Sequence, residues 1–252
     1  MAGLNALPDE EVHVWVVRPD EVRDPVTLDR CAALMSADER ARHDRFVFAK
    51  DRHLYLVTRG TIRTLVGRYL ETDPAACTFV ANRYGRPSLA HPGGSGLAFN
   101  VSHTAGLIVC AFAREPEIGV DVEEACRTID LALARRFFSP AEADALDALP
   151  EAERPDRFFD YWTLKEAYIK ARGMGLSLPL DGFAMLLDAG PSPAIRFSPA
   201  IDDDATTWQF AQFTPTSRHR LAVAVRRRGR DRDIRLREFQ PDASLIPALP
   251  PL

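Results

Sequence analysis

The chain has 252 residues, of which 46% are hydrophobic and 27% charged, and its formal net charge is −4 at pH 7. A chain of this length and composition can bury a full core, which predicts an ordinary soluble globular protein of one large or two small domains. No apolar run approaches the roughly 20 residues of a membrane-spanning helix, and the start lacks the basic-then-apolar pattern of a signal sequence. We therefore expect no membrane partner and a cytoplasmic location.

The basic residues are concentrated in one segment of the chain. Residues 30–90 contain eleven Lys or Arg against six Asp or Glu, although the whole chain is acidic. A basic segment in an acidic protein favours a discrete phosphate-bearing ligand, because binding to nucleic acid requires a broad basic face. We expect no nucleic-acid partner. A solvated helix face is the alternative interpretation of this segment.

The first 70 residues predict one strand followed by helices. Residues 12–17 (VHVWVV) alternate too little for an exposed strand and predict a buried one. A short amphipathic helix over 28–35 and a longer one over 51–70 follow. Between them Ser36 and Glu39 have the spacing of a capping box, which predicts the start of a further helix.

The next segment predicts three strands, at 77–80, 97–101 and 106–113. Residues 102–105 connect the last two. In that connection Ser102 and His103 could offer a hydroxyl, a backbone N–H and an imidazole to a phosphate, although a Ser-His pair in a turn is usually only a turn.

The strand predicted over residues 118–123 (IGVDVE) carries two carboxylates on one face. Its apolar residues alternate with Gly119, Asp121 and Glu123, the period of a strand with one buried face. Side chains two positions apart on a strand lie roughly 6–7 Å apart, so these carboxylates repel each other unless water or a cation lies between them. Mg²⁺ suits such oxygen ligands. A solvated face is the alternative.

A helix rich in aromatic residues begins near Pro155 and is expected to stop at Gly173. Trp162, Glu166 and Lys170 are spaced by four and share one face, which places a carboxylate between an aromatic ring and an ammonium group. Lys165 points about 100° away around the helix axis. An ordinary surface ion pair is the alternative interpretation of the Glu-Lys spacing.

The remaining elements suggest a duplication. A helix over 129–138 is followed by a helix start at Ser139, and two hairpins follow over 183–197 and 208–225. Both parts of the chain therefore run from a buried strand through a short helix and a Ser-led helix to a longer helix. We predict an α+β protein of two similar halves, residues 1–113 and 114–252, related by a pseudo-twofold duplication with the active site in the cleft between them.

Three smaller predictions concern single segments. The arginine-rich run 226–232 is interpreted as a solvated loop, and the proline-rich end beyond Phe239 as a docked or frayed tail. The cysteines have no C-x-x-C spacing, which predicts buried free thiols rather than a disulfide framework or a zinc site. These cysteines are Cys31, Cys77, Cys110 and Cys126.

Several short blocks of sequence occur in a defined order. They are residues 84–87 (YGRP), 99–103 (FNVSH), 119–123 (GVDVE), 137–142 (FFSPAE), 162–170 (WTLKEAYIK) and 173–176 (GMGL). In this order and spacing they resemble the signature of Sfp-type 4′-phosphopantetheinyl transferases.

The resemblance implies an enzyme that transfers the phosphopantetheine arm of coenzyme A to a serine of an apo acyl or peptidyl carrier protein, with release of 3′,5′-ADP. It implies Mg²⁺ bound by Asp121, Glu123 and Glu166. Lys170 would contact the α-phosphate, and Glu166 would be the general base for the serine, directly or through a metal-bound water. Lys165 matches a family lysine whose role is open, a structural role included.

The resemblance also implies a coenzyme A site. Ser102 and His103 match positions that hold the 3′-phosphate, Arg86 matches a basic position of the 84–87 turn, and Arg40 and Arg42 fall near the nucleotide. The family's carrier proteins are acidic. Whether this chain serves fatty-acid, polyketide or non-ribosomal peptide synthesis is open. Two halves in one chain predict a monomer.

Two alternatives to this function remain at the level of sequence. A Mg²⁺-dependent hydrolase of coenzyme A or a related pyrophosphate would turn over without a carrier protein. A non-catalytic binding module would have a broken ligand set, which the acidic residues Asp121, Glu123 and Glu166 argue against.

Overall fold

The computed structural model describes residues 7–188 and 190–246. Its helices are α1 (Pro25–Leu34), α2 (Ala37–Asp44), α3 (Ala49–Leu70), α4 (Ala132–Phe137), α5 (Pro140–Asp147) and α6 (Arg154–Arg172). Its strands are β1 (Glu11–Val17), β2 (Thr78–Ala81), β3 (Pro87–His91), β4 (Ala98–Thr104), β5 (Leu107–Ala113), β6 (Ile118–Glu124), β7 (Phe183–Leu186), β8 (Ala194–Phe197), β9 (Trp208–Thr216), β10 (His219–Arg226) and β11 (Asp233–Glu238).

The longer strands form two sheets. The first has the strand order β11-β1-β5-β4 and the second the order β6-β10-β9. β5 is antiparallel to both β1 and β4, and β10 is antiparallel to both β6 and β9. Two short hairpins, β2-β3 and β7-β8, complete the described strands. β4 and β6 are thus edge strands of different sheets.

Side chains along each strand point alternately to the two faces of its sheet, and this produces a layered core. One face of each sheet contributes to a shared apolar cluster that includes Val14, Val109, Val120 and Val223. The opposite face of the first sheet packs on α3, and that of the second sheet packs on α6. The layers are therefore helix, sheet, sheet and helix, and every residue of β1 is buried because both of its faces are covered.

The prediction of two similar α+β halves is confirmed. Each half has a strand, a short helix, a helix with a capping box, a long helix and a hairpin of strands in the same chain order. Both capping boxes form as predicted: Ser36 accepts a hydrogen bond from the Glu39 amide, and Ser139 accepts one from the Glu142 amide. The first sheet and α3 form one half, and the second sheet and α6 form the other.

The end of the chain does not stay with the second half. β11, which the sequence did not predict, pairs in parallel with β1 of the first sheet. Phe239 and Ile246 beyond it are buried, so the tail is docked as far as residue 246. The part of this prediction that concerns residues 247–252 lies outside the described residues.

Two further expectations need correction. Ser102 and His103 lie within β4 rather than in a connection, because pairing with β5 continues to Thr104 opposite Leu107 and leaves a tight turn at Gly106, whose φ is +81°. Cys126 is an exposed free thiol, whereas the other cysteines are buried and free as predicted.

The arginine run is only partly solvated, since Arg228 and Arg232 both pair with the buried carboxylate of Glu115. Among the described residues, no helix combines the length and the apolar character needed to cross a membrane.

Candidate active site

A close contact between β6 and α6 brings the predicted carboxylates to the helix. Val120 and Val122 point into the cluster between the sheets, so Gly119 and Asp121 face α6. A Cβ atom at Gly119 would lie 2.0 Å from the Ala167 carbonyl oxygen and 2.4 Å from the Ala171 nitrogen. Only glycine allows this approach, which sets Asp121 against the helix face that carries Glu166 and Lys170.

The end of α6 is fixed by the turn over residues 82–87. Gly173 ends the helix in the left-handed region, with φ +62°, and its carbonyl accepts a hydrogen bond of 2.8 Å from the Asn82 side chain. Arg86 donates through Nη1 to the Ala171 carbonyl at 2.9 Å and through Nη2 to the Ile118 carbonyl at 3.0 Å. The arginine thus connects the end of α6 with the start of β6.

Two polar side chains of β4 join the edges of the two sheets. Asn100 Oδ1 accepts a hydrogen bond of 2.9 Å from the Val120 amide, and Ser102 Oγ accepts one of 3.4 Å from the Val122 amide. These oxygens take the place of the carbonyl acceptors that a paired strand would supply. We call this contact the β4–β6 seam.

At the seam, Lys170, Asp121 and Ser102 form a closed set of hydrogen bonds. Lys170 Nζ lies 2.6 Å from Asp121 Oδ1 and donates to Ser102 Oγ at 2.8 Å. The Ser102 hydroxyl in turn donates to Asp121 Oδ1 at 3.0 Å. Asp121 Oδ2 is buried and has no hydrogen-bond partner among the described residues. An unpartnered oxygen on a buried carboxylate favours the approach of a cation.

The neighbouring carboxylates are perturbed by burial and by each other. Burial raises the pKa of Glu166 to about 7, and the charges of Asp121 and Glu123 add to this shift while Lys170 opposes it. Burial and the charge of Asp121 also raise the pKa of Glu123, which forms an ion pair of 3.0 Å with Arg127. Three carboxyl groups therefore share the site with two cations, Lys170 and Arg127.

The carboxylates are neighbours, but they do not form a metal-ligand arrangement in this conformation. Over residues 7–188 and 190–246, no three or more His, Cys, Asp or Glu side chains are placed to hold a metal ion. The Lys170 ammonium lies on Asp121 Oδ1. The metal set of Asp121, Glu123 and Glu166 stays a prediction.

His103 lies near Lys170 and near Arg42 of the basic helix α2. The imidazole is exposed, yet enough protein surrounds it for burial to lower its pKa, and the positive charges of Lys170 and Arg42 lower it further. Arg42 is exposed and lies over the Tyr55 ring, and Arg40 is exposed and donates to the Met35 carbonyl. Arg42 is thus close enough for its charge to act on His103, while Arg40 has no contact with the site residues within the described part of the chain.

A cavity of about 290 Å³ lies beside this cluster. Glu166, Ile169 and Lys170 of α6 form one wall, and the turn with Tyr84 and Arg86 forms another. The cavity therefore lies between an element of the first half and an element of the second.

Comparison with known proteins finds two family models that match this chain. A family model described as the 4′-phosphopantetheinyl transferase superfamily matches residues 117–226, and one described as 4′-phosphopantetheinyl transferase, N-terminal, matches residues 24–115. The 4′-phosphopantetheinyl transferase HetI of Nostoc sp. (strain PCC 7120 / SAG 25.82 / UTEX 2576) is 37% identical over 223 residues, which cover 87% of this chain and 89% of HetI. The chain belongs to the 4′-phosphopantetheinyl transferase family.

Two further relatives match a shorter part of this transferase. A 4′-phosphopantetheinyl transferase of Bacillus subtilis is 40% identical over 160 residues, which cover 63% of this chain and 69% of the relative. The transferase Sfp of Bacillus subtilis (strain 168) is 35% identical over 159 residues, with the same coverage of 63% and 69%. The suspected Sfp-type family is thereby confirmed.

The lysine whose role the resemblance left open has structural contacts in this transferase. Lys165 is completely buried, 2.7 Å from Glu142, and donates to the carbonyls of Leu180 and Phe183 at 2.8 and 2.6 Å. Burial lowers its pKa, and the Glu142 carboxylate opposes that shift. The contacts of Lys165 connect α6 with α5 and with the start of β7. They lie away from the Asp121 cluster.

Some residues that build the transferase site were not predicted as site residues. Asn100 and Asn82 act through tertiary hydrogen bonds with residues 20 and 91 positions away, which no local pattern reveals. Gly119 is visible in the sequence as the small residue in a strand that carries carboxylates, a sign that another backbone approaches closely.

Proposed function

We propose that this enzyme transfers the 4′-phosphopantetheine arm of coenzyme A to a serine hydroxyl of an apo acyl or peptidyl carrier protein and releases 3′,5′-ADP. The observation that carries the proposal is the Lys170–Asp121–Ser102 cluster beside a carboxyl group with a raised pKa, in a chain of this family. Lys170 and Glu166 border a cavity between the two halves, where a coenzyme and a carrier serine can meet.

The reaction is a substitution at phosphorus. The serine oxygen forms a bond to the phosphorus of the phosphopantetheine group, and the bond from that phosphorus to the bridging oxygen breaks. The bridging oxygen leaves with the 5′-phosphate of 3′,5′-ADP. Negative charge develops on the oxygens of both phosphates, so positively charged neighbours stabilise the transition state.

Lys170 and Glu166 have complementary tasks in this reaction. The Lys170 ammonium binds the α-phosphate and stabilises the leaving oxygen. Glu166 takes the proton of the serine hydroxyl, directly or through a water molecule, and in the metal-free site its pKa of about 7 suits this task at neutral pH. Both residues lie on one face of α6, which holds them in fixed relative positions.

Asp121, Glu123 and Glu166 would hold Mg²⁺. The free Oδ2 atom of Asp121 and the raised pKa values of both glutamates fit a site that a divalent cation stabilises. Bound there, Mg²⁺ would supply positive charge to the pyrophosphate.

The coenzyme's phosphates would also meet the basic side chains of the first half. We propose His103, Arg42 and Arg40 as contacts for the nucleotide, and Arg86 as a candidate at the position that the family resemblance assigns. Three of the five N–H groups of Arg86 already donate to carbonyls, which leaves Nε–H and one Nη1–H for a ligand. The boundary between the two halves falls near residue 113 of the chain. Because both sides of the cleft belong to one chain, no second subunit is needed to form it, which agrees with a monomer.

The test is intact-mass measurement on a panel of apo carrier proteins from fatty-acid, polyketide and non-ribosomal peptide systems, incubated with coenzyme A and Mg²⁺. The proposal predicts a gain of one phosphopantetheine on a serine, absent with Asp121→Ala and present with the exposed control Asp188→Asn. Cleavage of coenzyme A without any gain in carrier mass would favour the hydrolase alternative. Omission of Mg²⁺ with added chelator tests the metal requirement in the same assay.

A further inference from the structure

The Ser102 hydroxyl faces the interior of the site rather than the cleft. Its residue is 7% exposed, and its Oγ atom lies among Asp121, Lys170 and the Val122 amide. Successive side chains of a strand point to opposite sides. His103, the next residue of β4, is accordingly exposed.

The hydrogen-bonding capacity of this hydroxyl is completely used. A serine hydroxyl has one hydrogen to donate and two lone pairs that accept. The hydrogen goes to Asp121 Oδ1, and the lone pairs receive Lys170 Nζ and the Val122 amide. A phosphate oxygen is an acceptor and needs a donor, but the only O–H of Ser102 is bonded to a carboxylate.

We propose that Ser102 is a positioning residue, which sets the Lys170 ammonium and the Asp121 carboxylate relative to each other, and that its hydroxyl is not a ligand of the coenzyme's 3′-phosphate. The proposal revises the role that the family resemblance implies for this residue, and it rests on the proposed transferase function. The Ser102 hydroxyl gives the Lys170 ammonium a second oxygen acceptor, at 2.8 Å, in addition to Asp121 Oδ1. The two acceptors together hold the ammonium in a defined position beside the cleft.

Positioning and phosphate binding affect different quantities. A lost positioning contact lowers kcat and leaves recognition of the 3′-phosphate intact. A lost phosphate contact lowers the preference for 3′,5′-ADP over 5′-AMP, which differ only in that phosphate. The experiment therefore measures the dissociation constants of both nucleotides by calorimetry, and kcat and KM for coenzyme A, in wild type and Ser102→Ala.

We expect Ser102→Ala to keep the ratio of the two dissociation constants within about twofold of wild type and to lower kcat by about 10- to 100-fold, the usual effect of a lost supporting contact. Loss of a charge-assisted hydrogen bond to the 3′-phosphate would instead lower the preference for 3′,5′-ADP over 5′-AMP by about tenfold. That result contradicts the proposal whether or not kcat changes. An unchanged kcat together with an unchanged ratio contradicts it as well.

Control variants separate positioning from loss of stability. Asp24→Ala removes the N-cap of α1, remote from the cleft, and is expected to lower the melting temperature without changing kcat. Ser102→Cys keeps the shape of the side chain at a slightly larger volume but has only a weak donor, and it replaces Ser102→Ala if that variant does not fold. If the wild type modifies no carrier, the transferase function fails, while the nucleotide ratio still decides whether the hydroxyl binds the 3′-phosphate.

Discussion

Lys165 and Lys170 belong to the same short motif but have opposite surroundings. Lys165 is fully buried against Glu142, whereas the Lys170 side chain is 28% exposed at the edge of the cavity. Five positions on a helix separate their directions by about 140°, so one side chain can enter the core while the other faces the site. The motif therefore combines a residue that holds the helix with a residue that acts on the substrate.

The structural lysine makes a testable prediction about stability. Lys165→Met leaves Glu142 buried at 2% exposure without its cation, and removal of one partner of a buried ion pair costs about 3–5 kcal/mol. We expect urea unfolding to show a loss of this size. The control is Lys50→Met, at an exposed lysine of α3, which should change the free energy of unfolding by less than about 0.5 kcal/mol. Equal stabilities of the two variants would contradict the structural role of Lys165.

At the scale of elements, the site depends on how closely α6 lies on β6. Gly119 has no side chain at the point where the Ala167 carbonyl approaches, and Asp121 is two residues further along the same face. A displacement of the helix would move Glu166 and Lys170 away from Asp121 together. The contact between helix and strand thus sets the distances on which the chemistry depends.

Gly119→Ala tests this contact. The new methyl group would overlap backbone atoms of α6, which cannot rotate away as a side chain can, so we expect a loss of at least about 3 kcal/mol in the free energy of unfolding. Gly190→Ala is the matched control, because a Cβ atom there meets nothing within 4 Å. The measurement is the free energy of unfolding of both variants in urea. A Gly119→Ala protein as stable as the control would show that α6 does not lie as close as described.

The helices were predictable from local signals, and the strands less so. Ser36 and Ser139 marked two helix starts, and Gly173 marked the end of α6, because caps are formed by neighbours in sequence. β11 was missed because it is an exposed edge strand, stabilised by pairing with β1 more than 200 residues earlier. The length of β4 was likewise set by its pairing with β5.

At the scale of the whole molecule, the site forms where edges of the two sheets meet. The sequence pattern placed Asp121 and Glu123 on one strand face and Glu166 and Lys170 on one helix face, and the fold brings these two faces together. The sequence alone could not reveal the β4–β6 seam, whose contacts join residues about 20 positions apart through side-chain oxygens. The sequence assigned Ser102 to the site, but it could not show which way the Ser102 hydroxyl points.

The most direct measurement of the central claim is the single-turnover rate of phosphopantetheine transfer to an apo carrier protein at saturating coenzyme A and Mg²⁺. We expect Asp121→Asn, Glu166→Gln and Lys170→Met each to lower this rate by at least about 100-fold while far-UV circular dichroism stays that of wild type. Lys50→Met should transfer at the wild-type rate. Wild-type rates in any of the three variants would contradict the assignment of the reacting groups to this cluster.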